Sequence, residues 1–407
     1  MRRVVVTGMG GVTALGEDWA TVRGHMEAGR TAIRRMADWD RFDGVNTRLA
    51  APIEGFSVDG RYPRKNLRTM GEVARLAVYA TEHALENAGL IGEPLLKTSR
   101  AGIAYGSSFG SPPPVVAFAE LIETGHSKNL NSTSYIKMMS HTAAVNIALY
   151  FQIRGRVIPT ISACTAGSQA IGYAAEAIRW NKADVMVAGG ADELHVTETA
   201  VFDTLYATSV RNDDPEKTPR PYDRDRDGLV IGEGAATLVL EEYEHAIARG
   251  AHIHGELVGF GTNNDGNHVT NPTADTMGEA LSLALTDAGL PPEAVGFVSG
   301  HGTATEWGDI AETKATHSVL GREMPIHSLK GYFGHSLGAC GAIEAWLGLE
   351  MLRDGWFAPT ANLDHVDERC GELDYVMQTG RNLEIEHLMT NNFAFGGLNT
   401  SLIFRRV

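Results

Sequence analysis

The chain contains very few cysteines. Cys164, Cys340 and Cys370 are the only ones among 407 residues, and none of them has the Cys-x-x-Cys spacing that is typical of a zinc site. So few and so widely separated cysteines exclude a disulfide framework. We therefore expect all three to be reduced thiols.

Long apolar runs and linkers are also missing. No run approaches the roughly 18 apolar residues that a membrane span needs, and the start, Met1-Arg-Arg-Val-Val-Val, lacks the features of a signal peptide. No Pro/Ser-rich tract or charge block marks a domain boundary. We expect one compact body in the cytoplasm, without a membrane span. Nucleic-acid binding has no support beyond one short basic patch.

The chain does contain β-branched runs that alternate with amphipathic or alanine-rich stretches, a pattern that predicts helices packed on sheets. Strands are predicted at Val4–Val6, Gly102–Tyr105, Val185–Ala188, Leu257–Phe260, Phe297–Ser299 and Leu402–Phe404. Helices are predicted at Glu72–Ala88, Thr165–Trp180, Met277–Ala288 and Ser336–Arg353. The fold class is therefore α/β.

Two segments of the chain resemble each other. Residues 159–167 and 325–338 both run from an extended stretch through a turn into a helix rich in alanine and glycine. This similarity predicts an internal duplication, with two α/β halves that divide near residue 250. Each half then has one functional side chain at a helix N-terminus.

Cys164 lies at the predicted turn from a strand to a helix. The free N–H groups and the positive end of the dipole at a helix start favour thiolate, which makes this position suitable for a nucleophile. A cysteine among alanines is also a common small core residue. The residue alone does not separate these two interpretations.

Two histidines lie in glycine-rich loops further along the chain. His301 follows a predicted strand, and His335 shares a short segment with Lys330 and Glu344. A cysteine together with distant histidines is typical of enzymes with a nucleophilic cysteine. Hydrogen-bonded structural histidines and a metal site are the alternatives. The nearby carboxylates show no ligand spacing, so we expect no metal.

Four motifs identify a family resemblance. They are Ser162-Ala-Cys164-Thr-Ala-Gly, His301-Gly-Thr-Ala-Thr305, Lys330-Gly-Tyr-Phe-Gly-His335-Ser-Leu-Gly-Ala and Asn392-Phe-Ala-Phe395-Gly-Gly-Leu-Asn399. In this order and spacing they resemble β-ketoacyl-[acyl-carrier-protein] synthases of the elongating type. The resemblance implies a thiolase fold, a five-layered α/β/α/β/α sandwich of two βαβ-rich halves, here 1–250 and 251–407. It also implies a dimer.

The resemblance implies roles for the motif residues in a decarboxylative condensation of malonyl-carrier with an acyl chain. Cys164 is then the acylated nucleophile, and the N–H groups of Cys164 and Phe395 form an oxyanion hole. His301 and His335 supply hydrogen-bond donors to the enolate, with general acid/base action as a further possibility. Lys330 and Glu344 form a charged pair that fixes orientation and charge.

The resemblance also implies substrate contacts and partners. Phosphopantetheine arrives covalently on the acyl carrier protein, so no freely bound cofactor is expected. The chain is expected to pair with an identical copy or with a related ketosynthase-like subunit. Substrate-binding residues are expected at Thr303, Thr305, Phe109, Phe393 and Thr270, with Phe395 as a gating aromatic.

A basic segment is the candidate docking site for the acidic carrier protein. Arg61, Arg64, Lys65 and Arg68 are spaced so that a helix would place them on one face. A merely solvated face is the alternative. The family resemblance implies that the carrier docks here, although the net charge of the chain is −15.

Three residues depart from the family pattern. Ala394 and Leu398 replace glycine and threonine in the turn after Phe393, so loop opening is expected to be slower or differently triggered. Phe109 stands where glycine or isoleucine is common, at the far wall of the implied acyl pocket. A phenyl ring there favours acyl chains that are short, or flat and unsaturated. These departures leave open fatty-acid elongation and a specialised polyene or polyketide pathway.

Three related classes of protein are the alternatives to an elongating synthase. A catalytically silent chain-length factor would lack the nucleophile, whereas Cys164 is present. A degradative thiolase needs a second cysteine near the C-terminus, and the segment Gly396-Gly-Leu-Asn has none. Initiating synthases use Cys-His-Asn, whereas the third position here is His335. The elongating type of synthase agrees best with these residues.

Overall fold

The computed structural model describes residues 1–407. It contains sixteen strands: β1 Val4–Thr13, β2 Arg34–Arg35, β3 Leu49–Ala51, β4 Ala101–Gly106, β5 Val157–Thr160, β6 Val185–Asp192, β7 Ile231–Gly232, β8 Gly234–Glu242, β9 Gly255–Asn264, β10 Val295–Ser299, β11 Pro325–His327, β12 Trp356–Phe357, β13 Asp374–Tyr375, β14 Arg381–Asn382, β15 His387–Phe393 and β16 Leu398–Arg405.

Thirteen α-helices cover or separate these strands: α1 Trp19–Glu27, α2 Arg64–Leu67, α3 Glu72–Asn87, α4 Pro113–Thr124, α5 Ser134–Met138, α6 Thr142–Phe151, α7 Ala166–Arg179, α8 Val196–Asp203, α9 Tyr243–Ala248, α10 Ala274–Ala288, α11 Glu306–Leu320, α12 Lys330–Phe333 and α13 Cys340–Asp354. Short 3-10 turns at Ala163–Thr165 and Leu337–Ala339 precede α7 and α13. No helix is both long and apolar enough to span a membrane.

The main sheet is a hydrogen-bonded ladder of eleven strands that consists of two equivalent halves. The first half has the order β5-β4-β6-β8-β1, and the second has β11-β10-β15-β16-β9, with β13 added outside β11. In each half the first three strands are parallel and the last two pair antiparallel. A short antiparallel contact between β1 and β9 joins the halves.

The strand order confirms that the two halves repeat one topology. A division of the chain at residue 250, in the loop between α9 and β9, stays a prediction. Every strand and helix that we predicted is present, and most extend beyond the predicted ends by a few residues. The predicted helix from Ser336 begins instead at Cys340, after a 3-10 turn.

The helices form three layers around the two halves of the sheet. α3 packs on β1, β8 and β6 on one outside, and α10 packs on β9 and β16 on the other, where it also contacts α11. α7 and α13 lie between the halves and contact each other. This central contact is close because it uses small residues: a Cβ on Gly167 would lie 2.9 Å from the Gly338 carbonyl oxygen. The result is an α/β/α/β/α stack.

Candidate functional site

The candidate residues all follow the carboxyl ends of parallel strands. Cys164 follows β5, His301 follows β10, His335 follows β11 and α12, and Phe395 follows β15. In an open α/β sheet the carboxyl ends of parallel strands carry the ligand-binding loops. Since the two halves face each other across α7 and α13, the loops of both halves meet at one cleft.

Cys164 lies in the tight turn that connects β5 to α7. The preceding residue, Ala163, has a φ of 50°, in the left-handed region that non-glycine residues rarely adopt. The turn directs the Cys164 sulfur toward the backbone N–H groups of Cys164 and Phe395, and both groups act to lower the pKa of its thiol. The residue is 5% exposed. The sulfur therefore faces two fixed donors in an almost closed space.

The thiol of Cys164 is protonated at neutral pH, which differs from the thiolate expected from its position at a helix start. Burial raises the pKa of the Cys164 thiol to about 12, although the Lys330 charge and the two backbone N–H groups act in the opposite direction. Desolvation of the charged form outweighs the donors at the helix start. The sulfur thus needs stabilisation as it becomes charged, and a further donor lies close by.

His335 supplies that donor. Its Nε2 lies 3.0 Å from the Cys164 sulfur, and its Nδ1 accepts a hydrogen bond from the Leu337 N–H at 3.2 Å. Burial, helped by the Lys330 charge, lowers the pKa of His335 well below its usual value, so the ring is neutral. Because Nδ1 is an acceptor, the one ring proton is on Nε2. His335 therefore points an N–H at the sulfur.

His301 lies beside His335 and carries its ring proton on the same nitrogen, Nε2. The two ring centroids are 5.1 Å apart, at an interplanar angle of 87°. The Asn392 side-chain N–H group lies 3.4 Å from Nδ1 of His301, and this donor places the ring proton on Nε2. Burial lowers the pKa of His301 well below its usual range, with further contributions from Lys330 and His335. Both imidazoles are thus neutral hydrogen-bond donors.

The sulfur and the two imidazoles converge on one point. One ligand atom each from Cys164, His301 and His335 lies within 4.8 Å of the other two. A carbonyl group of a few atoms is small enough to contact all three at once. This arrangement is suited to stabilising negative charge on an oxygen next to the sulfur.

Lys330 and Glu344 form a buried ion pair behind the histidines. Burial lowers the pKa of Lys330, but the Glu344 carboxylate outweighs this effect and leaves the pKa above its usual value, so Lys330 is charged. Burial also raises the pKa of Glu344, and the Lys330 charge acts in the opposite direction. The second oxygen of Glu344 accepts a hydrogen bond of 2.6 Å from the Asn392 side chain. Lys330 therefore places a positive charge near both imidazoles, and Glu344 orients Asn392.

Asn392 is a functional residue that sequence reasoning did not select. It connects Glu344 to His301 through the two hydrogens of its side-chain nitrogen. Asn392 begins one of the recognised motifs, so its position in the sequence was the available signal. Glu312 was missed as well. Its carboxylate accepts hydrogen bonds from the N–H groups of His301 and Gly302, and the second of these is 2.7 Å long.

The cluster lies in a cleft of about 510 Å³. The cleft is lined by these residues from the sequence analysis: Cys164, His301, His335, Thr303, Thr305, Thr270, Phe393 and Phe395. The hydroxyl oxygens of Thr303 and Thr305 lie 2.9 Å apart, so they form one polar patch on the wall of the cleft. Phe395 packs against Phe202, with ring centroids 5.0 Å apart. Phe202 was not anticipated.

Phe109 does not join the cluster. It follows β4, is 38% exposed and does not line the cleft. Within this chain alone it therefore bounds no acyl pocket. The strand that precedes it, β4, pairs with the edge strand β5. A role as the far wall of an acyl pocket stays a prediction.

The basic segment does not form the helix that its spacing predicted. The helix α2 has only four residues, Arg64–Leu67, so Arg61 lies outside it. Arg61 instead makes an ion pair with Glu82 at 2.7 Å. The prediction that all four cations share one helical face is wrong. Arg64, Lys65 and Arg68 are exposed and have no ion-pair partner in the chain.

The turn after Phe393 requires glycine at positions other than 394. Gly396 and Gly397 have φ values of 85° and 75°, and a Cβ on Gly397 would lie 2.0 Å from the Asp265 carboxylate. Ala394 has no such backbone conformation, so alanine fits there without strain. A stiffer hinge at Ala394 stays a prediction.

Two sets of side chains have the spacing of metal ligands. One is Cys164, His301 and His335, and the other is His301, Cys340 and Glu344. In the first set a cation would bind at the Nε2 atoms by displacing the protons assigned above. In the second, the Lys330 ammonium already pairs with Glu344 and disfavours another cation. The donor set therefore suits hydrogen bonding to an anion better than it suits metal binding.

Comparisons with known proteins agree with this geometry. Two family models match the chain: "Beta-ketoacyl synthase, N-terminal domain" over residues 1–246 and "Beta-ketoacyl synthase, C-terminal domain" over residues 254–364. The chain is 39% identical to 3-oxoacyl-[acyl-carrier-protein] synthase 2 of Vibrio cholerae, over 100% of this chain and 99% of that protein.

Solved structures give the same result. A β-ketoacyl synthase from Burkholderia phymatum STM815 superposes with a TM-score of 0.99 at 57% identity, covering 100% of both chains. The ishigamide ketosynthase/chain length factor superposes with a TM-score of 0.90 at 31% identity, covering 100% of this chain and 99% of that one. The thiolase-type fold class expected from the sequence is thereby confirmed.

Proposed function

The chain belongs to the β-ketoacyl synthase family, and from this premise we propose that it joins a malonyl unit on an acyl carrier protein to an acyl group held on Cys164. The product is a 3-oxoacyl chain on the carrier, two carbons longer than the primer. The observation that carries this proposal is the convergence of the Cys164 sulfur with one ring nitrogen each of His301 and His335.

The first half-reaction transfers the acyl chain to the enzyme. The Cys164 sulfur attacks the carbonyl carbon of the acyl-carrier thioester, the bond to the carrier sulfur breaks, and the proton of Cys164 ends on the carrier thiol. The developing oxyanion accepts hydrogen bonds from the N–H groups of Cys164 and Phe395. The N–H of His335 stabilises the sulfur while it carries negative charge.

The second half-reaction forms the carbon–carbon bond. Malonyl-carrier loses CO2, and the electron pair of the broken bond becomes an enolate whose oxygen accepts hydrogen bonds from His301 and His335. The enolate carbon attacks the carbonyl of acyl-Cys164, the bond to sulfur breaks, and the released sulfur takes up one proton. Both histidines act as donors because their lowered pKa values keep them neutral.

Lys330, Glu344 and Asn392 are positioning residues in this mechanism. The positive charge of Lys330 opposes protonation of both imidazoles and lowers the pKa of Cys164. Glu344 holds the Asn392 amide, which fixes the tautomer of His301. Thr303 and Thr305 offer hydroxyl groups to the amides of the phosphopantetheine arm, and Thr270 and Phe393 contact the substrate in the same cleft.

The acyl carrier protein is the proposed partner for substrate delivery. It carries the phosphopantetheine covalently, so the enzyme binds no free cofactor. The exposed, unpaired cations Arg64, Lys65 and Arg68 are the proposed docking contacts for its acidic surface. Arg61 is excluded from this set because Glu82 neutralises it.

A second ketosynthase-like subunit is the proposed structural partner, either an identical chain or a related one. β5 is an edge strand of the main sheet, and one of its sides has no partner strand. Val157 in β5 and Ile161 directly after it are 40% and 52% exposed. On adjoining helices, Ile122 and Leu149 are 83% and 62% exposed. An unprotected strand edge with this many apolar side chains is typical of a surface that a partner covers.

The preferred primer is proposed to be short, or flat and unsaturated. Support comes from the bulk and exposure of Phe109 and from its position after β4, the strand that pairs with the edge strand β5. The division into an N-terminal half, 1–250, which carries the nucleophile, and a C-terminal half, 251–407, which carries both histidines, is part of the same proposal. Fatty-acid elongation and polyene or polyketide elongation use the same chemistry at this site.

Intact-mass analysis tests the proposed function. The purified protein is incubated with a panel of acyl-carriers, and the wild type should gain the mass of the acyl group, whereas Cys164→Ala should gain nothing. Addition of malonyl-carrier should then release 3-oxoacyl-carrier and restore the free protein mass. A wild type that stays unmodified, or a Cys164→Ala variant that loads normally, would show that the assignment is wrong.

A further inference from the structure

The outer rim of the cleft exposes an unusual set of apolar side chains. Leu205, Tyr206, Val269 and Trp307 all line the cleft, and they are 46%, 88%, 65% and 63% exposed. Large apolar groups at a surface are unfavourable in water, so a group of them around one opening marks a contact surface. Trp307 is the largest of the four, and the resemblance assigned it no role.

Trp307 is held on a rigid base. It lies in the first turn of α11, two residues after Thr305, which caps this helix. The Arg226 side chain donates hydrogen bonds to the carbonyl oxygens of Thr305 and Glu306, at 3.2 and 2.8 Å. Asp309 accepts the N–H of Thr303 at 3.0 Å. The backbone that carries the indole is therefore fixed at the rim, and the residue itself is exposed.

The indole of Trp307 offers two kinds of contact. Trp307 is 63% exposed, so its N–H group and its ring face are open to a ligand. The same wall continues inward through Thr305 and Thr303 to His301 and the sulfur of Cys164. A flexible chain with amide and apolar groups that passes from the surface to Cys164 would run along this wall.

The charges at the rim indicate that the phosphopantetheine arm, and not the body of the carrier protein, binds there. The carboxylates of Asp227, Asp265 and Glu306 line the rim, and Asp227 and Glu306 already pair with arginines. Arg226 is the only arginine or lysine that lines the cleft, and it is buried against Asp367. No unpaired cation at this rim would attract an acidic carrier surface.

We propose that Trp307 binds the uncharged part of the phosphopantetheine arm, with the indole ring against its apolar groups and the N–H available to an amide oxygen. This proposal rests on the proposed function, since it takes a carrier-borne thioester as the substrate. Trp307 is thus a binding residue that holds the arm while the thioester lies at Cys164. It has no part in the bond-making steps.

Three malonyl thioesters of increasing length test the proposal: malonyl-N-acetylcysteamine, malonyl-pantetheine and malonyl-carrier, each used against acyl-loaded enzyme. Trp307→Ala should raise KM about tenfold for the two thioesters that contain the full arm, with kcat unchanged. KM for the N-acetylcysteamine thioester should stay the same, and Trp307→Phe should restore most of the binding. An increase for malonyl-carrier alone would show a contact with the carrier body and overturn the proposal, as would no increase at all.

Trp180→Ala is the matched control. Trp180 is 66% exposed and caps the far end of α7, about 24 Å along the helix from Cys164. A second measurement needs no turnover. The fluorescence of Trp307 is obtained by subtracting the signal of Trp307→Phe from that of the wild type. Carrier with the arm attached should quench this fluorescence, whereas carrier without the arm should not. If the enzyme loads no acyl group, the proposed function fails, and this fluorescence result still decides the role of Trp307.

Discussion

The reactivity of Cys164 depends on two opposing effects at one residue. The start of α7 and the N–H groups of Cys164 and Phe395 favour a charged sulfur, whereas burial favours the neutral thiol. Burial dominates, because a sulfur that is 5% exposed has lost nearly all contact with water. The enzyme therefore lowers the energy of the charge that forms during reaction and does not store a thiolate at rest.

This balance predicts the pH dependence of alkylation. The fraction of Cys164 thiolate rises tenfold per pH unit below a pKa of about 12, so the rate of reaction with iodoacetamide should rise steadily from pH 7 to pH 10 without a plateau. Mass spectrometry of the modified peptide gives the rate, and Cys164→Ala gives the background from Cys340 and Cys370. A plateau near neutral pH would mean that the histidine–cysteine pair holds a thiolate at rest.

Phe109 predicts a change in primer choice. Phe109→Ile should increase the rate of loading of a tetradecanoyl primer by about tenfold relative to a hexanoyl primer, because a shorter side chain lengthens the pocket. Competition between the two acyl-carriers, followed by the mass of the loaded protein, measures the ratio. Phe42→Ile, at a half-buried phenylalanine that does not line the cleft, is the control for general loosening. An unchanged ratio would remove Phe109 from the acyl pocket.

At the residue scale, the sequence predicted those site residues that belong to contiguous motifs. Cys164, His301 and His335 each stand in a glycine-rich segment whose local spacing is itself the signal. Asn392 acts through contacts with Glu344 and His301, which lie 48 and 91 residues away in the chain, so no local pattern displays its role. Glu312 lies 11 residues after His301, outside the His301–Thr305 motif. The protonation of Cys164 depends on total burial, which a sequence window does not contain.

At the scale of single elements, residues 61–68 show where periodicity fails. The i, i+3, i+4, i+7 spacing predicted one helical face, but Pro63 caps a helix of only four residues. Arg61 then points to Glu82 on α3 and forms an ion pair with it. Tertiary contact to a neighbouring helix has overridden the local pattern. Arg64, Lys65 and Arg68 remain the unpaired cations of this segment.

Charge reversal tests the docking segment. Arg64→Glu together with Arg68→Glu should raise KM for malonyl-carrier about tenfold and reduce the salt dependence of KM, since screened attraction to the acidic carrier is lost. KM for malonyl-pantetheine should not change. Lys97→Glu with Lys182→Glu is the control, because these exposed lysines precede β4 and β6 at the edge away from the cleft. Wild-type KM for malonyl-carrier in the Arg64/Arg68 variant would exclude this docking site.

The packing of α7 against α13 gives a prediction about stability. A Cβ on Gly190 of β6 would lie 2.5 Å from the Gly338 carbonyl oxygen and 3.1 Å from the Gly167 Cα, all rigid backbone atoms. Gly190→Ala should therefore lower the free energy of unfolding by about 3 kcal/mol. Urea unfolding measures the change. Gly24→Ala on α1, where a Cβ meets nothing within 4 Å, should be neutral or stabilising.

At the scale of the whole molecule, the sequence predicted the repeat and its two halves because two segments resemble each other directly. It also led to the layered arrangement through the family resemblance. It did not predict that β1 and β9 join both halves into one ladder of eleven strands. That contact involves only two residue pairs and depends on how the halves pack, which no local pattern records.

The unpaired edge of this ladder carries the last prediction. Val157 on β5 and Leu149 on α6 are exposed apolar residues of the surface that we assign to a second subunit. Val157→Lys with Leu149→Lys places two charges there, and the dissociation constant of the dimer should rise at least about 100-fold. Sedimentation velocity across a concentration series measures it. Ile247→Lys is the control, because Ile247 on α9 is similarly exposed, at 51%, outside this surface. A wild type that is monomeric at micromolar concentration, or a double variant that dimerises normally, would show that β5 is not the interface.

In the double variant, loss of the dimer should also remove the primer discrimination assigned to Phe109, because that side chain needs the second subunit to bound a pocket.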